Sequence, residues 1–331
     1  MKKIIFKVAF SRKTGSGHLY RSSSLAQLLK DRGVETILIL EKKNEIPKNL
    51  KLKRAFDKVL FINNLKNIKD FIDKNNINNF LLDYPKSTIN FQKKIQTMVN
   101  NFILYQDIPR LNSCNYLINH NYIRNASKIY KKLSNKKTKF FLGTKNFFIN
   151  FKKKNKIITK NDITVFFGGN TSKTYLKKIL SCLREFKIYS FKINIFVGFF
   201  DNNFSDIQKK YKELKIFFYK NSSQNFFWKK LSTSKIFIGA GGTTLIEAIY
   251  FNIPSIIISR SKNQINNCEN FHKDRIINYA GNNISKKKIS KKLKLLITND
   301  TSYQILKKKM LKYKLEMLEN NLPKKLFKIL I

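Results

Sequence analysis

Short apolar runs alternate with longer amphipathic stretches along most of this chain, and that rhythm constrains its fold more than any other feature. Lys3–Phe10 reads as a buried strand. Ser23–Arg32 reads as a helix with Leu25, Leu28 and Leu29 on one face and Gly33 ending it. Thr36–Leu40, Asn79–Tyr84, Asn101–Asp107 and Asn115–His120 are further strands. Strands that are apolar throughout and alternate with helices predict a parallel sheet covered on both faces. The rhythm lapses between Ala126 and Lys160, where the chain is polar and basic, and 151–161 reads as a linker. It then restarts. Asp162–Gly169 is a strand running into a glycine pair, Thr174–Phe186 a helix, and Phe191–Gly198 and Lys215–Tyr219 strands. Lys235–Ser259 reads as strand, glycine turn, helix, turn, strand, and "LKKKMLKYKLEML" is a basic amphipathic terminal helix. The expected organisation is α/β, with two parallel-sheet domains: 1–150, then 162–331 including that terminal helix. A length of 331 residues suits two cores better than one.

Composition excludes several classes. With 42% hydrophobic residues the chain can bury real cores. The formal net charge of +47 comes from lysines spread through every segment, in company with abundant Asn, Ile and Phe. A nucleic-acid binder gathers its cations on one face or on a recognisable motif; with no such clustering, no nucleic-acid partner is expected. The charge still favours arrival of an anionic substrate and leaves room for a peripheral contact with an anionic membrane. Cys114, Cys182 and Cys268 lie far apart, without disulfide or zinc spacing. The opening "MKKIIFKVAF" starts like a signal peptide, but Lys7 breaks its apolar run. A cytoplasmic protein without metal, cofactor or obligate protein partner is the expectation.

Three glycine turns follow strands: "TGSGH" with Gly15 and Gly17, "FFGGN" with Gly168 and Gly169, and "GAGGTT" with Gly241 and Gly242. Such turns let backbone N–H groups approach a phosphate, and the helix that follows adds a favourable dipole. In open α/β sheets ligands lie beyond the carboxyl ends of the strands. The third glycine of the dinucleotide fingerprint is missing after Gly17, and there is no P-loop. Thr243 or Thr244 is expected to cap a helix and to donate to phosphate. Glu247, about a turn further on, either grips a ribose diol or compensates the helix dipole. His18, one of three histidines, stands between a glycine pair and a helix.

Together these residues carry a family resemblance. "GSGHLYRSSSLAQLL" resembles the G-x-G-H-x-x-R-x-x-x-L-A motif of the UDP-2,4-diacetamido-2,4,6-trideoxy-β-L-altropyranose hydrolases of pseudaminic acid synthesis. "LINHNY" and "ITVFFGGNTSK" are similar to later elements of that family, and "IGAGGTTLIEAIYFNIPSIIISRSKNQ" to the nucleotide-binding half of MurG-type glycosyltransferases. The resemblance implies a GT-B-like architecture, two Rossmann-like domains facing across a cleft. It implies that His18 is the base that activates water and that Gly168–Gly169 and Gly241–Thr244 hold UDP, with Glu247 near the ribose and Asn263–Gln264 near the donor. Asp83 and Tyr84 stand where the family has D-H-Y-G, and Asp107 where it has a second aspartate. The chain departs from the family at Lys7 and Ala9, where an arginine and an aspartate are usual, and at Gln106.

The mechanism expected from these residues is inverting hydrolysis of a UDP-sugar. Imidazole is mostly neutral at pH 7 and can take a proton from water. Asp83 or Asp107 orients it, and Arg21 with the second-domain amides receives the departing diphosphate. Two alternatives use the same residues. In a GT-B glycosyltransferase His18 deprotonates an acceptor hydroxyl instead of water. In a degenerate relative the nucleotide-sugar is bound without turnover.

Overall fold

The computed structural model describes residues 2–11, 14–41, 52–149, 162–169, 171, 173–198, 204–319 and 322–330. The chain divides into two compact units, Met1–Asn150 with Glu319–Ile331, and Phe151–Leu318. The linker read at 151–161 lies outside the described residues.

The first unit runs β1 (Lys3–Val8), α1 (Gly17–Lys30), β2 (Glu35–Leu40), β3 (Lys58–Phe61), α2 (Leu65–Asn75), β4 (Asn79–Asp83), α3 (Ile89–Gln96), β5 (Asn101–Tyr105), β6 (Tyr116–Asn119), α4 (Ala126–Leu133) and β7 (Lys139–Leu142). Its strands form one parallel sheet of order β3-β2-β1-β4-β5-β6-β7. Alternate side chains of β1 feed opposite cores. Ile4, Phe6 and Val8 pack with Leu25 and Leu29 of α1; Ile5 packs with Ile68 and Ile72 of α2. Full burial of one such side chain is worth about 1.5–3 kcal/mol. Strand order reverses between β1 and β4, the place where open sheets of this kind hold ligands.

The second unit runs β8 (Asp162–Phe166), α5 (Lys173–Glu185), β9 (Lys192–Val197), α6 (Ser205–Lys210), β10 (Lys215–Lys220), α7 (Gln224–Ser232), β11 (Ile236–Ala240), α8 (Thr243–Tyr250), β12 (Ser255–Ile258), α9 (Lys262–Lys273), β13 (Asn278–Tyr279), α10 (Lys286–Thr298) and α11 (Asp300–Leu318). Its sheet, again parallel, has the order β10-β9-β8-β11-β12-β13. The same reversal occurs between β8 and β11.

One expectation is corrected at the far end of the chain. The final helix, α12 (Leu322–Ile329), does not complete the second unit. Leu322 and Leu326, one turn apart on α12, and Leu330 just past its end are buried in the first unit's core beside Leu25 and Leu29. Asn101 Nδ2 of β5 donates to the Ile329 carbonyl at 3.0 Å. The face of the first sheet that carries α1 thus draws its last cover from beyond the second unit.

Candidate active site

In the first unit the candidate site forms where β1 and β4 end side by side. α1 starts at Gly17, well before Ser23, so His18 and Arg21 lie three apart on one face of its first turns. Ser16 makes no side-chain cap, and Gly15 N donates to Ser11 O at 2.8 Å to close the preceding turn. β4 delivers Asp83, fully buried, to the same spot, and Pro85 follows without an N–H to continue the ladder.

Asp83 is the hub. His18 Nδ1 donates to its Oδ1 at 2.7 Å. Arg21 grips both of its oxygens, Nε to Oδ2 at 2.7 Å and Nη2 to Oδ1 at 2.5 Å. Ser22 Oγ adds a donor at 3.2 Å. Arg21 Nη1 also donates to Asp107 Oδ1 at 2.6 Å. Arg21 Nη2 lies 2.9 Å from His18 Nδ1 as well. That nitrogen cannot both donate to Asp83 and accept from Arg21, and the carboxylate, the stronger acceptor, takes the proton. Nδ1 is then the protonated nitrogen, and no hydrogen bond from a described residue engages Nε2.

The electrostatics follow from this geometry. Burial pushes the Asp83 carboxyl up, but Arg21 and His18 outweigh it and hold Asp83 far below the usual carboxylate range. Burial likewise works against Asp107, and Arg21 brings it down. Arg21 is raised despite its burial by Asp107 and Asp83. The Arg21 guanidinium stands between two carboxylates, Asp83 and Asp107, and all three are largely screened from water.

Two residues that the sequence gives no part in the site support it. The Tyr105 ring lies under the Arg21 guanidinium, 4.0 Å from ring centroid to Cζ. The Tyr105 hydroxyl pairs with His120 Nδ1 at 2.7 Å. Burial, then Arg21, push His120 down to about 3, so it stays neutral. His120 is a buried packing residue with a polar partner. The signal for Tyr105 was its place two residues before Asp107, on the same side of an extended run.

Tyr84 does not join this cluster, which corrects its expected catalytic place. Strand alternation turns it to the opposite face, where it packs beside Phe80 and Leu82. Its ring lies 5.6 Å from Lys7 Nζ, and burial together with Glu41 pushes its hydroxyl up to about 12.

In the second unit the predicted residues gather at the β8–β11 reversal. Gly168, at φ +89°, makes a left-handed turn after β8. A Cβ at Gly241 would run into the Cys268 sulfur of α9, so only glycine lets this turn lie so close to that helix. Gln264 Nε2 would lie 3.4 Å from a Cβ at Gly242, and Gln264 Oε1 accepts from Arg260 N at 2.8 Å. Ser261 donates to Asn263 Oδ1 at the start of α9. The capping expectation is corrected: Gly242 is the N-cap of α8 and makes no side-chain cap, so Thr243 and Thr244 lie inside the helix. Glu247 is not in the first turn. It is 5% exposed and faces α7, where Gln224 Nε2 donates to it at 3.4 Å. Burial pushes it up to about 7, although the neighbouring Trp228 and Gln224 work the other way. Arg260 went unnoticed in the sequence. It projects from the end of β12 to donate to the Phe167 carbonyl at 3.0 Å, with its guanidinium over the Tyr175 ring. Among the described residues no cluster of three or more His, Cys, Asp or Glu could hold a metal ion, and no helix is long and apolar enough to cross a membrane.

Comparison with known proteins places this geometry in a fold. Residues 163–321 match the glycosyltransferase family 28 C-terminal domain. An uncharacterized protein of Methanocaldococcus jannaschii is 26% identical over 272 residues, which cover 76% of this chain and 54% of that protein. The chain thus spans about half the length of the curated relative it matches. Acinetobacter baumannii MurG superposes with a TM-score of 0.67 at 9% identity, covering 100% of this chain and 99% of its own. Phytolacca americana UGT2, solved with UDP-2fluoro-glucose and pterostilbene, gives 0.68 at 11% identity, with 99% of both chains covered. The spinosyn forosaminyltransferase SpnP gives 0.70 at 10% identity, again with 99% of both covered. The chain has the GT-B fold, with a second unit similar to the C-terminal domain of family 28 glycosyltransferases.

Proposed function

We propose that this protein hydrolyses a UDP-linked sugar of the diacetamido-trideoxy class with inversion, and that His18 is its general base. The observation that carries this reading is the Asp83–His18 bond, which selects the Nδ1–H tautomer and leaves Nε2 without a hydrogen bond among the described residues. Nε2 takes a proton from water. The water oxygen forms a bond to the anomeric carbon, and the bond from that carbon to the diphosphate oxygen breaks opposite it. The electron pair leaves with UDP. Asp83 stabilises the imidazolium as it forms, and Arg21, locked between two aspartates, holds Asp83 in place. In the second unit the Gly168–Gly169 and Gly241–Thr244 turns and the start of α8 take the diphosphate, Arg260 adds a positive charge, Glu247 binds the ribose, and Asn263 and Gln264 lie toward the donor.

A second reading, glycosyl transfer, draws support from the family 28 match and from neighbours that are transferases by name. There Nε2 takes its proton from an acceptor hydroxyl. Incubation with a UDP-diacetamido-trideoxyhexose and no acceptor separates the two. Hydrolysis gives UDP and free sugar in equal amounts; binding without release rules hydrolysis out and leaves transfer. His18→Asn should lower turnover by roughly 10²–10⁴ with the fold intact, and near-normal turnover removes His18 from the chemistry.

A further inference from the structure

α11 buries one face and leaves a second apolar stripe in water. Tyr303, Leu306, Met310 and Met317 are buried, the first two in the second unit's core. About a third of a turn round the helix, Leu311, Leu315 and Leu318 line up at i, i+4 and i+7. They are 42%, 51% and 55% exposed. With Ile305, four of the ten exposed large hydrophobic side chains among the described residues lie on this one helix. A core-packed helix has no internal need of a second apolar stripe, and a contiguous exposed patch marks an interaction surface.

The flanks say what covers it. By helical angle Lys307 and Lys314 run along one side of the stripe and Lys308 and Lys312 along the other. α10, packed against α11, carries six more lysines, of which Lys286 pairs with Glu185 of α5. Against them α11 carries only Asp300 and Glu316. A second copy of so basic a face would repel the first. A nucleic acid would answer the lysines but leave three leucines pressed against phosphates. An anionic lipid surface answers both, since the leucines enter the acyl boundary while lysine stems lie along it with their ammonium groups at the headgroups.

We propose that the outer face of α11 is a membrane-docking surface selective for anionic lipid. It is independent of the catalytic reading and holds for either reaction.

The test is co-sedimentation of the full chain with vesicles of phosphatidylcholine alone, or with about one-third phosphatidylglycerol. The wild type should partition to the anionic vesicles only. Because the chain is highly basic throughout, the variants decide. Leu311→Gln with Leu315→Gln, both exposed and so tolerated by the fold, should weaken binding about tenfold or more at an unchanged melting temperature. Lys308→Gln with Lys312→Gln should cost about fivefold per lysine, and Lys128→Gln with Lys131→Gln on α4 much less. Three results overturn the proposal: no binding of the wild type to anionic vesicles, binding untouched by the leucine changes, or an α4 pair that matters as much as the α11 pair.

Discussion

Glu247→Gln should make the second unit more stable while impairing its ligand binding, and the gain should depend on pH. The Glu247 carboxyl is almost wholly buried, lies against the neutral side chains of Gln224 and Trp228, and is pushed from 4.5 up to about 7. In the unfolded chain it ionises near its ordinary value. Between the two values the folded state holds a proton that the unfolded state has lost, so stability falls as pH rises through that window. A tenfold change in a proton equilibrium is worth about 1.4 kcal/mol, so the span from 4.5 to about 7 costs the wild type roughly 3 kcal/mol above pH 7. Glutamine keeps the shape and carries no charge. The variant should therefore gain little at pH 5 and about 3 kcal/mol at pH 8.5, a melting shift of about 6–12 °C for a unit of this size. Trp228, the only tryptophan and a neighbour of Glu247, reports this transition by its fluorescence. If the ribose hydroxyls donate to the carboxylate, the same variant binds UDP more weakly, and wild-type affinity falls as pH drops through 7. A variant whose advantage stays constant from pH 5 to 8.5, or which is less stable throughout, refutes the reasoning.

Asp83→Asn leaves Arg21 short of a buried counter-charge and His18 free to change tautomer, so about 3–5 kcal/mol of stability and roughly 10²–10⁴ of turnover should go together, read by denaturant melts and UDP release. Asp83 and Asp107 both lie below their ordinary 3.8, so their contribution is present at neutral pH and lost as pH falls below about 4, which acid unfolding of the first unit measures. Arg260→Gln should raise the Kd for UDP about tenfold to a hundredfold and leave uridine binding within about twofold in calorimetry. Equal losses for both ligands would make Arg260 only a strap to Phe167.

The sheets were legible because their central strands are buried on both faces and read as unbroken apolar runs. β3 and β7 escaped notice because edge strands are short and half-exposed, and "KVLF" and "KFFL" carry too little pattern. The start of α1 was placed six residues late, since Gly17 and an uncapped Ser16 give no helix signal. That left His18 outside the helix that aims it. Asp83 was named with Asp107 as a possible partner of His18, and only geometry chose it: the register of β1 on β4 sets Val8 beside Asp83. The same alternation that brings Asp83 in turns Tyr84 out, a distinction available from period two alone. Arg260 belongs to no local pattern; it matters because two strand ends distant in sequence meet.

The return of α12 to the first unit sets an order of synthesis. The α1 face of the first sheet lacks Leu322, Leu326 and Leu330 until the ribosome has passed through all of the second unit. For that interval the nascent first unit shows solvent a strip of the core that holds α1, the helix bearing His18. The second unit, continuous in sequence, can close earlier. The unit that carries the candidate base is thus the last to mature, and a chain that ends between α11 and α12 carries a finished second unit beside an unfinished first.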